Sequence, residues 1–84
     1  MTTREVLRAA RDRLAQPGVW VNHSPKEGEH CLLTAVGEDW QTGSRRAIQL
    51  LEEVTGSGLW AWNDHPDRTL PEVLAVLEEA IERA

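Results

Sequence analysis

Apolar residues recur at Val6, Leu7, Ala10 and Leu14, which places them on one face of an α-helix. Thr2-Thr3-Arg4-Glu5 reads as a capping box, in which a threonine hydroxyl and a glutamate satisfy each other's backbone amides. Pro17-Gly18 predicts an end near Gln16. A second face follows at Ala47, Ile48, Leu51 and Val54, with Ser44 predicted as N-cap and Glu52-Glu53 toward solvent. Gly56-Ser57-Gly58 stops it. The strongest periodicity comes last: Leu70, Val73, Leu74, Leu77, Ala80 and Ile81 line one face. Thr69-Leu70-Pro71-Glu72 opens that helix as a second capping box, with proline in the first turn where its missing N–H costs little.

The middle of the chain is less regular. Val19-Trp20-Val21-Asn22 reads as extended and Ser24-Pro25-Lys26-Glu27-Gly28 as a polar turn. Residues 29–33 can pair back on 19–23 as a hairpin, or a helix can begin at about Cys31. The helix is favoured, because Leu and Ala dominate Cys31-Leu32-Leu33-Thr34-Ala35-Val36 and a lone two-stranded hairpin is marginal. Gly37 to Gly43 is read as a loop holding Trp40, with an exposed ring and a tucked one equally open. The stretch from Leu59 to Asp67 is read as irregular or extended. The expected fold is mainly α: a single domain over residues 1–84, built as a small bundle of three long helices and one short helix. A short β-hairpin near Trp20 stays open. The terminal helices are expected to pack together, with the arginines of the first near Glu78, Glu79 or Glu82.

Composition narrows the function classes. The chain of 84 residues has room for one core. It has four Trp and neither Phe nor Tyr, so its bulky rings are all indoles, and most of them are expected to pack inside at least partly. Net charge is −5, which disfavours non-specific nucleic-acid binding and anionic membrane surfaces. Arg4, Arg8, Arg11 and Arg13 against Glu5 and Asp12 give the first fifteen residues a local +2, leaving −7 on the remainder. Pairing with acidic helices accounts for that asymmetry. Cys31 is the one cysteine, so no intramolecular disulfide forms. Without an apolar run of membrane length or a signal-peptide pattern, the expected location is the cytoplasm.

The densest chemistry lies in Leu59-Trp60-Ala61-Trp62-Asn63-Asp64-His65-Pro66-Asp67-Arg68-Thr69. One reading is structural: Asn63 and Asp64 set a tight turn, Pro66 fixes its exit and Trp62 pins it to the core. The other is a binding surface of Trp20, Trp60 and Trp62 edged by Asn63, Asp64 and His65, with rings for stacking and polar groups for orientation. Cys31 with His30, His23 and the Asp64-His65 pair has the residue types for a thiol nucleophile or a zinc site. Their spacing matches neither a hydrolase signature nor a zinc motif, and an apolar run after Cys31 suits core packing. No catalytic residue, metal ligand or cofactor is therefore assigned.

The order of features resembles an uncharacterised family of small actinobacterial and actinophage proteins. The likeness rests on Trp20, Cys31-Leu32-Leu33-Thr34-Ala35, Trp62-Asn63-Asp64, and Thr69 with Glu72-Val73-Leu74. It implies that origin and a helical fold, and brings no activity with it. The leading expectation is a small cytoplasmic protein–protein interaction module, phage-encoded, that acts on a host or defence protein. The expected partner is an unidentified protein, with a homodimer left open. A small-ligand binder with a Trp-lined groove comes second, and a Cys-dependent enzyme third.

Overall fold

The computed structural model describes residues 1–37 and 42–84. The loop position of Trp40 lies outside the described residues. At the N-terminus the Thr2 hydroxyl accepts from the Glu5 amide at 3.2 Å, and the Glu5 carboxylate accepts from the Thr2 amide at 3.0 Å. This capping box opens helix α1, Thr3–Leu14, whose Val6, Leu7, Ala10 and Leu14 are buried. The helix ends slightly before Gln16, because proline disfavours helical backbone in the residue ahead of it.

The described residues form four further helices: α2 (Leu32–Gly37), α3 (Ser44–Thr55), α4 (Leu59–Asn63) and α5 (Leu70–Arg83). The long helices α1, α3 and α5 pack on one another, and α2 and α4 close against that group. Arg11 donates to Glu78 at 2.9 Å and Arg4 donates to the Ala84 carbonyl, so α1 and α5 run antiparallel. The expected pairing of the first helix with the acidic last helix is thus realised at Glu78. Glu79 pairs instead with Arg83 on its own helix, at 3.3 Å. Such exposed pairs contribute only ~0–1 kcal/mol each and serve mainly to set register.

The core is aliphatic. Leu7, Leu14, Leu32, Leu51, Val73 and Leu77 have no exposed surface. Trp20 and Trp62 are half-buried at its margin, whereas Trp60 stands out in solvent. The indoles therefore trim the core rather than form it.

Three local expectations need correction. The cap of α3 is Gly43 rather than Ser44, which becomes the first helical residue and is fully buried. Gly43 has φ +97°, and a Cβ on it would lie 2.7 Å from the Thr3 nitrogen and 2.9 Å from the Thr2 carbonyl carbon. Only glycine allows the start of α3 to pass this close to the start of α1. The second short helix, α4, occupies part of the stretch read as irregular; five residues are too few for helical periodicity to register. The short central helix begins at Leu32, in line with a start at about Cys31, whose carbonyl accepts the Ala35 amide at 3.0 Å. Finally, residues 19–33 form no hairpin. Trp20 and His30 make a single parallel bridge, with the His30 amide on the Val19 carbonyl at 2.7 Å and the Val21 amide on the His30 carbonyl at 3.0 Å. The chain turns fully between them and enters α2 directly after, so pairing cannot extend.

Two predictions follow from these ends and contacts. Gly43→Ala should destabilise the fold by about 2 kcal/mol or more, combining left-handed strain with a backbone clash; urea unfolding followed by helical circular dichroism measures this, and a loss within ~0.5 kcal/mol would contradict the close approach. The second concerns acid. Hydrogen bonds from the Thr2 amide and hydroxyl hold the Glu5 carboxyl below its ordinary range, and those from the Thr69 hydroxyl and amide, with Arg68 beside them, do the same for Glu72. A carboxyl with a lowered folded-state pKa stabilises above its unfolded value and loses that contribution as pH falls through the folded one. Carboxylate NMR titration should place both midpoints low, and Thr2→Ala and Thr69→Ala should each return its partner toward the ordinary value.

Candidate functional site

Asn63 ends α4 and has no exposed surface. Its side chain offers two acceptor positions and two donor hydrogens, and all four are used. Oδ1 accepts from the Trp20 indole N–H at 2.8 Å and from the Leu32 amide at 3.0 Å. Nδ2 donates to the Val21 carbonyl at 3.0 Å and to the Asp64 carboxylate at 3.1 Å. The Leu32 amide is one of the first-turn groups that α2 itself cannot satisfy. A side chain thirty-one residues away in sequence therefore caps α2 and also fixes the extended segment at Trp20.

The residues after Asn63 are tied down in turn. Arg68 lies over the Trp62 ring with its guanidinium carbon 3.8 Å from the centroid. Its Nε donates to the Trp62 carbonyl at 2.9 Å and Nη1 donates to Glu72 at 3.0 Å. One side chain thus joins the α4 exit to the first turn of α5. The Glu72 carboxylate accepts from the Thr69 amide and hydroxyl, both at 3.0 Å, which completes that junction. The His65 Nδ1 accepts from the Asp67 amide at 3.1 Å, and Asn22 Nδ2 approaches the His65 carbonyl at 3.4 Å. The Asn-Asp turn is rigid for these reasons.

These contacts sort the six sequence candidates. Trp20, Asn63 and Asp64 come together through Asn63, and Trp62 stands against Arg68. Asn63 does not edge a groove, as the sequence suggested, because it is sealed inside the fold. Trp20 and Trp62 keep part of their surface, Asp64 is half-buried and His65 is exposed. Trp60 is 59% exposed, the largest hydrophobic ring so placed among the described residues. It sits between buried Leu59 and buried Asn63, so its helix is anchored while its ring is not. Asp64 lies one turn on, its amide donating to the Trp60 carbonyl at 3.0 Å, so the two share a face.

Cys31 is buried, and its backbone makes the contacts that open α2: its amide donates to Thr34 Oγ1 at 3.0 Å. Thr34 Oγ1 also lies 3.3 Å from His30 Nδ1. His23 is exposed beside the Ser24 carbonyl, on a different contact from either. Among the described residues, no three His, Cys, Asp or Glu side chains come close enough to hold a metal ion. The described residues also contain no helix long and apolar enough to cross a membrane.

One surface feature escaped the sequence reading. An open groove of about 510 Å³ runs between the polar turn, α2 and α3, lined by Lys26, Glu29, His30, Leu33, Thr34 and Ile48 among others. None of the described lining residues is a tryptophan. All of its described lining residues but Ile48 come from the continuous stretch 25–37, and Ile48 of α3 completes it. Arg68 was also missed, although its spacing of four from Glu72 was a usable signal for a helix-entry pair.

Removing the buried amide should be costly. Asn63→Ala orphans the Leu32 amide, the Trp20 indole N–H and the Val21 carbonyl, and should lose ~2–4 kcal/mol in urea unfolding. Asn63→Asp retains the acceptor for Trp20 and Leu32 but turns an oxygen toward the Val21 carbonyl and the Asp64 carboxylate. Its loss should deepen as pH rises through the carboxylate range, while that of Asn63→Ala should not. Near-wild-type stability of Asn63→Ala would show that the hub is dispensable.

No significant match was found among curated proteins or among solved structures. A family model does match, and it spans nearly the whole chain, including every element of the hub. The chain belongs to DUF6197, a family of unknown function, whose model matches residues 1–83.

Proposed function

We propose that this protein is a small protein–protein interaction module that docks a partner on the face carrying Trp60. The observation behind this reading is the 59% exposure of Trp60 on a helix whose flanking residues, Leu59 and Asn63, are buried. Leaving an indole in water forgoes roughly 2–3 kcal/mol of burial in a domain whose whole stability is small. Trp is also the residue type most enriched at the energetic centres of interfaces, and an anchored ring loses little entropy on binding. Asp64 on the same face and His65 beyond it supply a polar rim. The partner we propose is a host or defence protein, with the chain encoded by an actinophage or its host and working in the cytoplasm. A free, buried Cys31 fits a reducing compartment.

The competing surface is the arginine face of α1. Arg11 is already engaged by Asp12 at 3.2 Å and by Glu78 at 2.9 Å, and Arg4 by the Ala84 carbonyl. Two of its four arginines are thus engaged within the chain.

Affinity capture from an actinobacterial lysate, run in parallel with wild type, Trp60→Ala, His65→Ala and Arg8→Ala, tests the reading. One stoichiometric protein should be retained by wild type and Arg8→Ala. Trp60→Ala should weaken its binding by ~2 kcal/mol or more in a titration with the purified partner. Loss with Arg8→Ala and retention with Trp60→Ala would move the interface to α1. Sedimentation of the pure protein covers the homodimer: self-association abolished by Trp60→Ala would make the partner a second copy.

A further inference from the structure

The groove between the polar turn, α2 and α3 carries a charge arrangement that Trp60 plays no part in. Lys26 is the one lysine of the chain, and it lines the groove together with Glu29. The two residues close a turn on each other through their backbones. The Glu29 amide donates to the Lys26 carbonyl at 2.9 Å, and the Lys26 amide donates to Glu29 Oε1 at 3.0 Å. The turn and the Glu29 carboxylate are therefore held in place. The charged ends of Lys26 and Glu29 are not paired with each other, and among the described residues the Lys26 ammonium enters no ion pair. A cationic and an anionic side chain thus line the groove together with the apolar Pro25, Leu33 and Ile48 and the polar His30 and Thr34. A volume of about 510 Å³ falls within the range of small-molecule sites.

We infer that this groove binds a free α-amino acid with a branched aliphatic side chain, its carboxylate on Lys26, its ammonium on Glu29 and its side chain against Leu33 and Ile48. A simple anion would meet repulsion from Glu29, and a simple cation would meet it from Lys26. A ligand carrying both charges beside an apolar body complements these features.

The probe is L-leucine, added to uniformly ¹⁵N-labelled protein and followed by amide chemical shifts. Saturable shifts at residues 25–37 and around Ile48 are expected by ~10 mM. Three relatives each remove one feature. Glycine lacks the apolar body, N-acetyl-leucine lacks the ammonium and imitates a peptide's C-terminal end, and leucine amide lacks the carboxylate and imitates its N-terminal end. Each should bind about tenfold more weakly or worse. Lys26→Met keeps the apolar stem, and Glu29→Gln keeps an acceptor for the Lys26 amide. Both should leave the rest of the amide spectrum unchanged and weaken L-leucine about tenfold. Absence of saturation with L-leucine overturns the inference. So does equal binding of N-acetyl-leucine or leucine amide, since the groove would then read a chain end rather than a zwitterion. Shifts centred on Trp60 instead of the groove would overturn it as well.

Discussion

Asn63 joins three segments that are far apart in sequence: the extended strand-like stretch at Trp20, the start of α2 at Leu32 and the end of α4. Neither α2 nor α4 is long enough to be stable alone, since helix nucleation is unfavourable and short helices depend on tertiary support. A buried carboxamide with every hydrogen-bonding position used gives that support at one point. The geometry is demanding because a partner missing from such a network leaves a polar group unsatisfied in a dry interior. Among the described residues no buried side-chain nitrogen or oxygen lacks a partner, so the network is complete.

The rest of the molecule divides the work around this point. The three long helices bury an aliphatic core of Leu, Val and Ala, which is tolerant in shape and carries most of the burial. Polar contacts then set register: Arg11 with Glu78 between α1 and α5, and Arg68 between Trp62 and Glu72. The indoles act as connectors. Trp20 uses its N–H on Asn63 and its ring on the core, and Trp62 offers one face to Arg68. Trp60 has neither role and projects from the same rigid helix.

Two surfaces result, and they are chemically unlike. The Trp60 face is an exposed hydrophobic ring with Asp64 and His65 following it in sequence. The groove at Lys26 and Glu29 combines side chains of both charges with the apolar Pro25, Leu33 and Ile48. They draw on different elements, so a substitution on one need not disturb the other. Cys31 serves neither: it is buried at the entry to α2, where its backbone rather than its thiol makes the described hydrogen bonds.

Local patterns by themselves determined the three long helices and both threonine–glutamate capping boxes, because helical periodicity and end chemistry are written within a dozen residues. The buried faces at Val6, Leu7, Ala10 and Leu14, and at Val73, Leu77, Ala80 and Ile81, were legible for that reason. The structural role of Trp62-Asn63-Asp64 at the exit of α4 was legible in part. Tertiary structure alone decided that Asn63 faces inward, since its partners at Trp20, Val21 and Leu32 lie outside any sequence window around it. It also decided that Gly43 rather than Ser44 begins α3, because the reason is the nearby backbone of Thr2 and Thr3. The parallel bridge of Trp20 with His30 and the helical state of Leu59–Asn63 belong to the same class. Each depends on contacts between distant residues, and such contacts leave no periodic trace in the residues that make them.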